Sequence, residues 1–432
     1  MLNLSGLDRW GPSVARLLFI VALVFAALPS GLVWRYQMNP DMLEGSWVNR
    51  LQWTSLFAIA ALFAWRMPRA VVKAHLAFNP FLVVLALYCL ASVLWSDVPG
   101  VVIKRTVQFY GVVLIGMVVA YHWNARLHQL LAVTMNFFGI ILLLSVLYAV
   151  FDPDIGRESV AGIVGSWRGI LDQKNALGIF SGVCVLLFVV VQTTNPISPV
   201  LAWIGGLLGM VCLVMSRSSS SMVFTLASVV CYFFFMRDYI RAPSFLTRVA
   251  LASALGAAVV YQLYFFANGN FPDVADLLGP LAAFFGKSTD LTGRADIWDL
   301  VWLSVNAHQP IGVGFASFWL GPGGPSQYIS DSLRWNVPSA HNGYLEVLNE
   351  LGYFGLVLFV GMLLVHLRGI FKLFVLDRVK FAFHLALLMV FVISNFSEST
   401  ALRVLTFLQV LMFFSMMLVQ QSVIERRMPT AP

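Results

Sequence analysis

Residues 268–342 read NGNFPDVADLLGPLAAFFGKSTDLTGRADIWDLVWLSVNAHQPIGVGFASFWLGPGGPSQYISDSLRWNVPSAHN, the one long polar interruption in a chain that is otherwise almost continuously apolar. Loops longer than about 15 residues are usually functional or disordered. This one carries Arg294, Trp298, Pro310, Gly312, Gly314 and His341, so it is expected to hold chemistry, as a subdomain (268–342) inserted in a membrane domain. Within it, Ile297, Leu300, Val301 and Val305 give Ala295 to Asn306 a helical period, with Thr292 as a start signal. Phe271 to Phe285 suits a shorter helix, and Gly321 to Pro325 is loop.

Outward from this stretch the composition is that of a membrane protein. Hydrophobic residues make up 59% and charged residues 11% of 432, with a mean hydropathy of +0.83, against about 25% charged in a soluble domain. Runs of about 20 apolar residues, the length that crosses a bilayer, fall near 14–34, 47–65, 76–95, 106–122, 128–150, 175–194, 198–215, 219–236, 248–267, 343–366, 381–396 and 401–420. The third-last has a second starting point near Leu351. The expected fold is therefore all-α and polytopic, with about twelve transmembrane helices in a single membrane domain (1–432) and the long loop between the ninth and tenth. No 20- to 50-residue repeat and no Gly/Ser linker divides it.

Charge orients this arrangement, because cytoplasmic loops collect Lys and Arg. With the N-terminus inside, the inner segments hold 15 basic and 4 acidic residues, and the outer segments the remaining 12 basic and 16 acidic. The long loop then faces outward, and the net charge of +7 reports topology and not nucleic-acid binding. The first span resembles a signal peptide in position, but its long apolar run favours an uncleaved anchor. Cys89, Cys184, Cys212 and Cys231 all fall in expected spans and read as small core residues.

Outward-facing cations are the first candidates for a site. A single Arg or Lys at a bilayer boundary is usually a topology anchor, yet Lys104, Arg105, Arg168, Lys174, Arg217, Arg294 and Arg403 come from separate outer segments or span ends. If the fold gathers them, they need an anion, and a diphosphate suits guanidinium groups that bind its oxygens in pairs. The run from Gly165 to Gly178, GSWRGILDQKNALG, is the most distinctive short motif; its plain alternative is an interfacial Trp–Arg anchor. Of seven histidines, only His308 and His341 lie in the outer loop. His308 reads as structural. His341, between Ser339 and Asn342 where the chain re-enters the membrane, is a candidate general base for a sugar hydroxyl. Glu346, Glu350 and Glu398 are candidate bases or orienting groups, since carboxylates near the membrane are costly. Neither a GxxxxGK[ST] loop, an HExxH, a CxxC pair nor a GxSxG elbow occurs. Walker-type nucleotide use and a standard zinc site thus have no residues to carry them.

At Trp95-Ser96 with Pro99 and Arg105, at Arg168 to Gly178, Ser216-Arg217-Ser218, Gly293-Arg294 with Ile297-Trp298, Pro310 with Gly312 and Gly314, and His341-Asn342, the chain resembles the O-antigen ligase and polysaccharide polymerase superfamily of bacterial inner-membrane glycan transferases. Each piece is weak alone, and their order is fairly specific. Gln173 stands where relatives often have histidine, and Ser218 where threonine is frequent.

The resemblance implies a multi-pass protein of the bacterial inner membrane whose site faces the periplasm and needs no metal or cofactor. An undecaprenyl-diphosphate-linked glycan would enter from the membrane lipid and pass its sugar to an acceptor hydroxyl. Arg168, Arg217 and Arg294, with Lys174 and Arg105, would hold the diphosphate. His341 would activate the acceptor, and Asn342 and Glu398 would support it. The acceptor is another lipid-linked repeat in a polymerase of exopolysaccharide or O-antigen, and lipid A core in a ligase; the Trp167-Arg168-Gly169 and Lys174-Asn175 pieces favour the polymerase narrowly. A transporter or flippase competes, though its site would lie near the bilayer midplane.

Overall fold

The computed structural model describes residues 7–28, 47–159, 164–194, 199–236 and 294–427, and among these it is helical with no strand. The first ten helices are α1 (Leu7–Ala27), α2 (Trp47–Ala64), α3 (Arg69–Phe78), α4 (Pro80–Ala91), α5 (Pro99–Trp123), α6 (Leu127–Phe151), α7 (Pro153–Gly156), α8 (Lys174–Thr194), α9 (Pro199–Met215) and α10 (Ser219–Met236). After them come α11 (Arg294–His308), α12 (Gln327–Leu333), α13 (Gly343–Leu376), α14 (Arg378–Ser394) and α15 (Phe407–Arg427).

By length and composition, six stretches are able to cross a membrane: Arg9–Ala27, Pro99–Phe151, Lys174–Thr193, Ser219–Met236, Gly343–Leu376 and Phe407–Arg427. A seventh is the pair α2 and α3, bent by 116°. Pro80–Leu94 and Trp203–Met215 are shorter apolar helices, and α14 has 17 residues. These figures stand against the twelve spans expected; the segment 248–267 and the helix at 271–285 lie outside the described residues. Within Pro99–Phe151 the non-helical backbone of Trp123 (ψ −2°) and Arg126 separates α5 from α6. At about 1.5 Å per residue, the 25 residues of each exceed the roughly 30 Å hydrocarbon core.

Two expected spans break for visible reasons. The run 76–95 divides at Asn79, whose side chain accepts the Leu82 N–H while Pro80 opens α4. A Pro at the first helical position lacks only a donor that has no partner there anyway. The run 401–420 starts late because Asn395 Oδ1 captures the amides of Thr400 (3.0 Å) and Ala401 (2.7 Å), and Leu402 adopts φ 56°. Helix begins only at Phe407.

The bundle is organised around α15, which is buried along Phe407–Ile424 and packs against α1, α3, α5, α8, α13 and α14. Beside it, α8 packs on α9 and α10, and α10 on α14. Gly178 and Gly182, four residues apart on α8, face Ser221 and Thr225 of α10, where an added Cβ would collide. Small residues at this spacing let two membrane helices approach closely, and they fix the start of α8 against the loop before α10.

Residues 294–340 fold against the outer part of α13 with a core of their own, in which Ile297, Trp298 and Val301 of α11 meet Phe318, Ile329 and Leu348. The expected helix 295–306 is α11. Gly352 breaks α13 with φ 65° and ψ −167°, and a Cβ there would strike the Pro310 carbonyl. The carbonyls freed at this break are taken up by the incoming loop: Val313 N–H donates to Asn349 O (3.1 Å) and Gly314 N–H to Glu350 O (2.8 Å). Pro310, Gly312 and Gly314 thus close a helix interruption, and they tie the segment before α12 to α13.

Candidate active site

His341 stands at the turn into α13. Its φ of 50° is left-handed backbone, which costs a non-glycine residue about 1 kcal/mol or more, so its neighbours must hold it there. Asn342 caps α13 by accepting the N–H groups of Tyr344 and Leu345 (both 3.1 Å). Its own N–H donates to Ser399 Oγ (3.1 Å), and Gly343 N–H donates to Asn395 O (2.8 Å). On the other side Ala340 is held twice, its N–H donating to Glu346 Oε1 (2.9 Å) and its carbonyl accepting from Trp298 Nε1 (2.7 Å). The irregular segment 395–402 and helix α11 therefore grip the His341 backbone from opposite sides.

Glu398, 7% exposed, is the hub of the site. Its Oε1 accepts from Asn175 Nδ2 (2.7 Å) at the start of α8 and lies 3.6 Å from Arg294 Nη2 at the start of α11. Its Oε2 lies 3.9 Å from His341 Nδ1. Only the contact with Asn175 falls within hydrogen-bonding distance. His341 Nδ1 and Asn342 Nδ2 are buried with no hydrogen-bond partner among the described residues. Burial holds the Arg294 guanidinium below its ordinary range while Glu398 opposes the shift. A guanidinium stays charged nonetheless, so the site keeps a poorly hydrated cation.

The loop before α8 supplies a second carboxylate. Glu158 Oε1 accepts the Lys174 N–H (2.7 Å), and Oε2 lies 3.9 Å from Arg168 Nη1. Arg168 also donates to the carbonyls of Ile155 (2.9 Å) and Asp154 (3.2 Å), so much of its donor capacity braces the loop. Trp167 N–H donates to Met215 O (2.9 Å), which docks the motif onto the end of α9 beside Arg217. Arg217 is exposed, with φ 50°. Lys174 lies within electrostatic reach of Glu158, Glu398, Arg294 and Arg217. Four of the sequence candidates (Lys174, Arg217, Arg294 and His341) and Glu398 therefore share one end of the bundle.

A third group adjoins them. Arg403 forks onto Glu346 (Nε–Oε2 2.9 Å, Nη2–Oε1 3.1 Å) and reaches the Pro338 carbonyl (3.1 Å). Arg105 donates to Gln108 (3.2 Å), and its charged neighbours are Arg403 and Glu350. It belongs to this group and not to the Glu398 hub. Glu350 Oε2 accepts the Ala316 N–H (2.9 Å). His308 lies away from the hub at the far end of α11, its Nδ1 on Ser304 O (2.8 Å). The four cysteines are free and buried, and among the described residues no group of three or more His, Cys, Asp or Glu could hold a metal. Sequence reasoning passed over Glu158, for which no local signal exists, and over Asn175 as a ligand of Glu398, although the Lys174-Asn175 pair had marked the place.

Helices long enough to span, with histidine, carboxylate and cations gathered where a polar subdomain meets them, define a multi-pass membrane protein with an enzyme-like polar site. Residues 204–360, which include Arg217, Arg294, His341 and Glu346, match a family model described as O-antigen ligase. The chain is also 26% identical over 303 residues, 66% of its length, to the exopolysaccharide production protein ExoQ of Rhizobium meliloti (strain 1021). The match covers 64% of that relative, less than two thirds of its length. Both similarities are to the O-antigen ligase and polysaccharide polymerase superfamily that the sequence motifs resemble.

Proposed function

We propose that this protein moves a glycan from an undecaprenyl-diphosphate carrier to an acceptor hydroxyl at the periplasmic face of the inner membrane, as a repeat-unit polymerase of exopolysaccharide. The observation that carries this is the convergence on Glu398 of Asn175, Arg294 and His341, from separate parts of the chain, with Lys174 in reach of the same carboxylate. The relative's name as an exopolysaccharide production protein favours the polymerase. The excess of basic residues in the other set of loops favours the periplasmic side.

In this reading the acceptor oxygen attacks the anomeric carbon, and the bond from that carbon to the diphosphate oxygen breaks. The electron pair leaves with the undecaprenyl diphosphate, on which Arg294, Lys174 and Arg217 stabilise the growing charge, with Arg168 and Arg105 at the edges. Glu398 faces His341 Nδ1, which leaves Nε2 to take the hydroxyl proton. The 3.9 Å separation is the loose geometry of a site without substrate, where catalytic hydrogen bonds often tighten only in the complex. Direct displacement inverts the anomeric centre.

Purified protein in proteoliposomes, given lipid-linked repeat units and no ion gradient, is expected to lengthen them. His341→Ala and Arg294→Ala are expected to stop this. Wild-type product from both variants, correctly inserted, would show that the proposed site is wrong; no product from the wild-type protein would end the transferase reading, and product that forms only with a gradient would indicate a transporter. The family description as O-antigen ligase supports a second reading, transfer to lipid A core; supplying that acceptor in place of lipid-linked repeats separates the two.

A further inference from the structure

A cavity of about 440 Å³ opens on the outer subdomain beside α12. Gln327, Asp331 and Arg334 line it at helical spacing, so they share one face, and Trp335 and Asn336 complete the wall. The local sequence explains the shape. Arg334 ends α12 with φ 60°, and Ser330 Oγ accepts the Val337 N–H (3.1 Å), which folds Trp335 and Asn336 back over the helix. Trp335 is 47% exposed, so its ring face is open to a ligand in the cavity.

The lining has a defined chemistry: one carboxylate, one guanidinium, two side-chain amides and one aromatic face. A pyranose ring presents the complement, hydroxyls that both donate and accept around a face of C–H groups. An interfacial tryptophan anchor would instead sit among apolar groups at the end of a span, whereas this indole stands beside Asp331 and Arg334.

The path from the cavity to the reacting centre is held at successive points. Val337 is buried, the Pro338 carbonyl is bound by Arg403, and Ala340 is held by Glu346 and Trp298. From Asn336 to His341 is five residues, at most about 18 Å of chain. A ligand in the cavity is therefore within a short oligosaccharide of His341.

From this juxtaposition we propose that the cleft between α12 and Trp335-Asn336 is a glycan subsite, which holds non-reacting sugars of the chain whose end reacts at His341. This deepens the transferase reading and rests on it. The probe is a size ladder of oligosaccharides cut by partial acid hydrolysis from the producing bacterium's own polysaccharide, titrated calorimetrically into the full-length protein in nanodiscs. Asp331→Asn and Trp335→Ala are expected to weaken binding by about tenfold or more, as loss of a central anchor does, and Trp335→Phe, which keeps an aromatic face, to restore most of it. In transfer assays the first two variants should show a raised KM with kcat kept. Rescue by excess acceptor assigns the subsite to the acceptor glycan, and rescue by excess lipid-linked donor assigns it to the donor. Wild-type affinity in both Asp331→Asn and Trp335→Ala overturns the proposal. So does a Trp335→Ala defect confined to binding of phosphatidylethanolamine–phosphatidylglycerol vesicles, which would make the residue an anchor. Arg294→Ala separates the two claims: it should abolish transfer and leave oligosaccharide binding intact, whereas wild-type protein that binds the oligosaccharides but transfers no glycan would sink the transferase reading alone.

Discussion

At the Arg427 end of α15 the polar side chains bind one another. Asn124 Nδ2 donates to Glu425 (2.6 Å), and its Oδ1 accepts from Ser422 (2.6 Å) and Lys380 (3.1 Å). Gln421 reaches Glu425 (3.0 Å), and His75 lies between Gln420 and Gln421 at 3.0 and 2.8 Å. At the Phe407 end, about 30 Å away along the helix, Arg403 is paired closely with Glu346, but two contacts to the Glu398 carboxylate are long: 3.6 Å from Arg294 and 3.9 Å from His341. A closed network stabilises a bundle, since each buried polar group has its partner. An open one leaves cations short of hydrogen bonds, which is what a substrate anion would supply.

That contrast breaks most sharply at His341 and Arg294. Replacing either with alanine is expected to lower transfer by about 100-fold or more with little change in Tm, read from product formed in proteoliposomes beside a thermal melt. Activity within a few-fold of wild type would remove the functional half of the contrast. Next is Arg403→Lys, which keeps the charge but loses the fork onto Glu346 and with it the hold on Pro338. A drop in kcat of about tenfold is expected, because lysine cannot reproduce paired donors. An unchanged kcat would show that the His341 turn does not need this clamp.

Asn124→Leu should do the reverse. It removes the side-chain bonds to Glu425, Lys380 and Ser422, leaving Glu425 with Gln421 and Lys380 with the backbone carbonyl, and is expected to cost about 1–3 kcal/mol, lowering Tm while the rate per folded molecule is kept; a lost rate would mean that the closed end also takes part in function. The smallest effect concerns pH. Burial pushes the Tyr328 hydroxyl, which donates to Leu300 O (2.8 Å), up to about 12. A raised value in the fold means that this contact stabilises fully below about pH 10, the value in the unfolded chain. Its contribution should fade as pH rises from there through about 12. Protection of the α11 amides, taken relative to their intrinsic base-catalysed exchange, should fall across that window, and Tyr328→Phe should remove that fall.

Much of this was legible in the sequence because it is local. Apolar runs located α5, α6, α8, α10 and the long α13, and periodicity located α11 to within two residues at either end. The alternative start near Leu351 marked the point where Gly352 breaks α13. His341, Arg294 and Lys174 stood out by type and position. The late start of α15 was hidden because it depends on one side chain, Asn395, taking amides that a helix would use. Glu398 was named as a supporting group, but its neighbours were hidden for another reason: they are residues 175, 294 and 341, and only folding brings them together. Arg105 and Arg168 look alike as lone outer cations, yet one lies beside Arg403 and the other is spent on backbone carbonyls.

Helix α15 is enclosed by α1, α3, α5, α8, α13 and α14, all of which leave the ribosome before it. The faces that these helices turn toward α15 are therefore covered only when α15 is in place. The turn carrying Glu398 leads directly into that helix, so the placement of this carboxylate beside His341 depends on how α15 is seated.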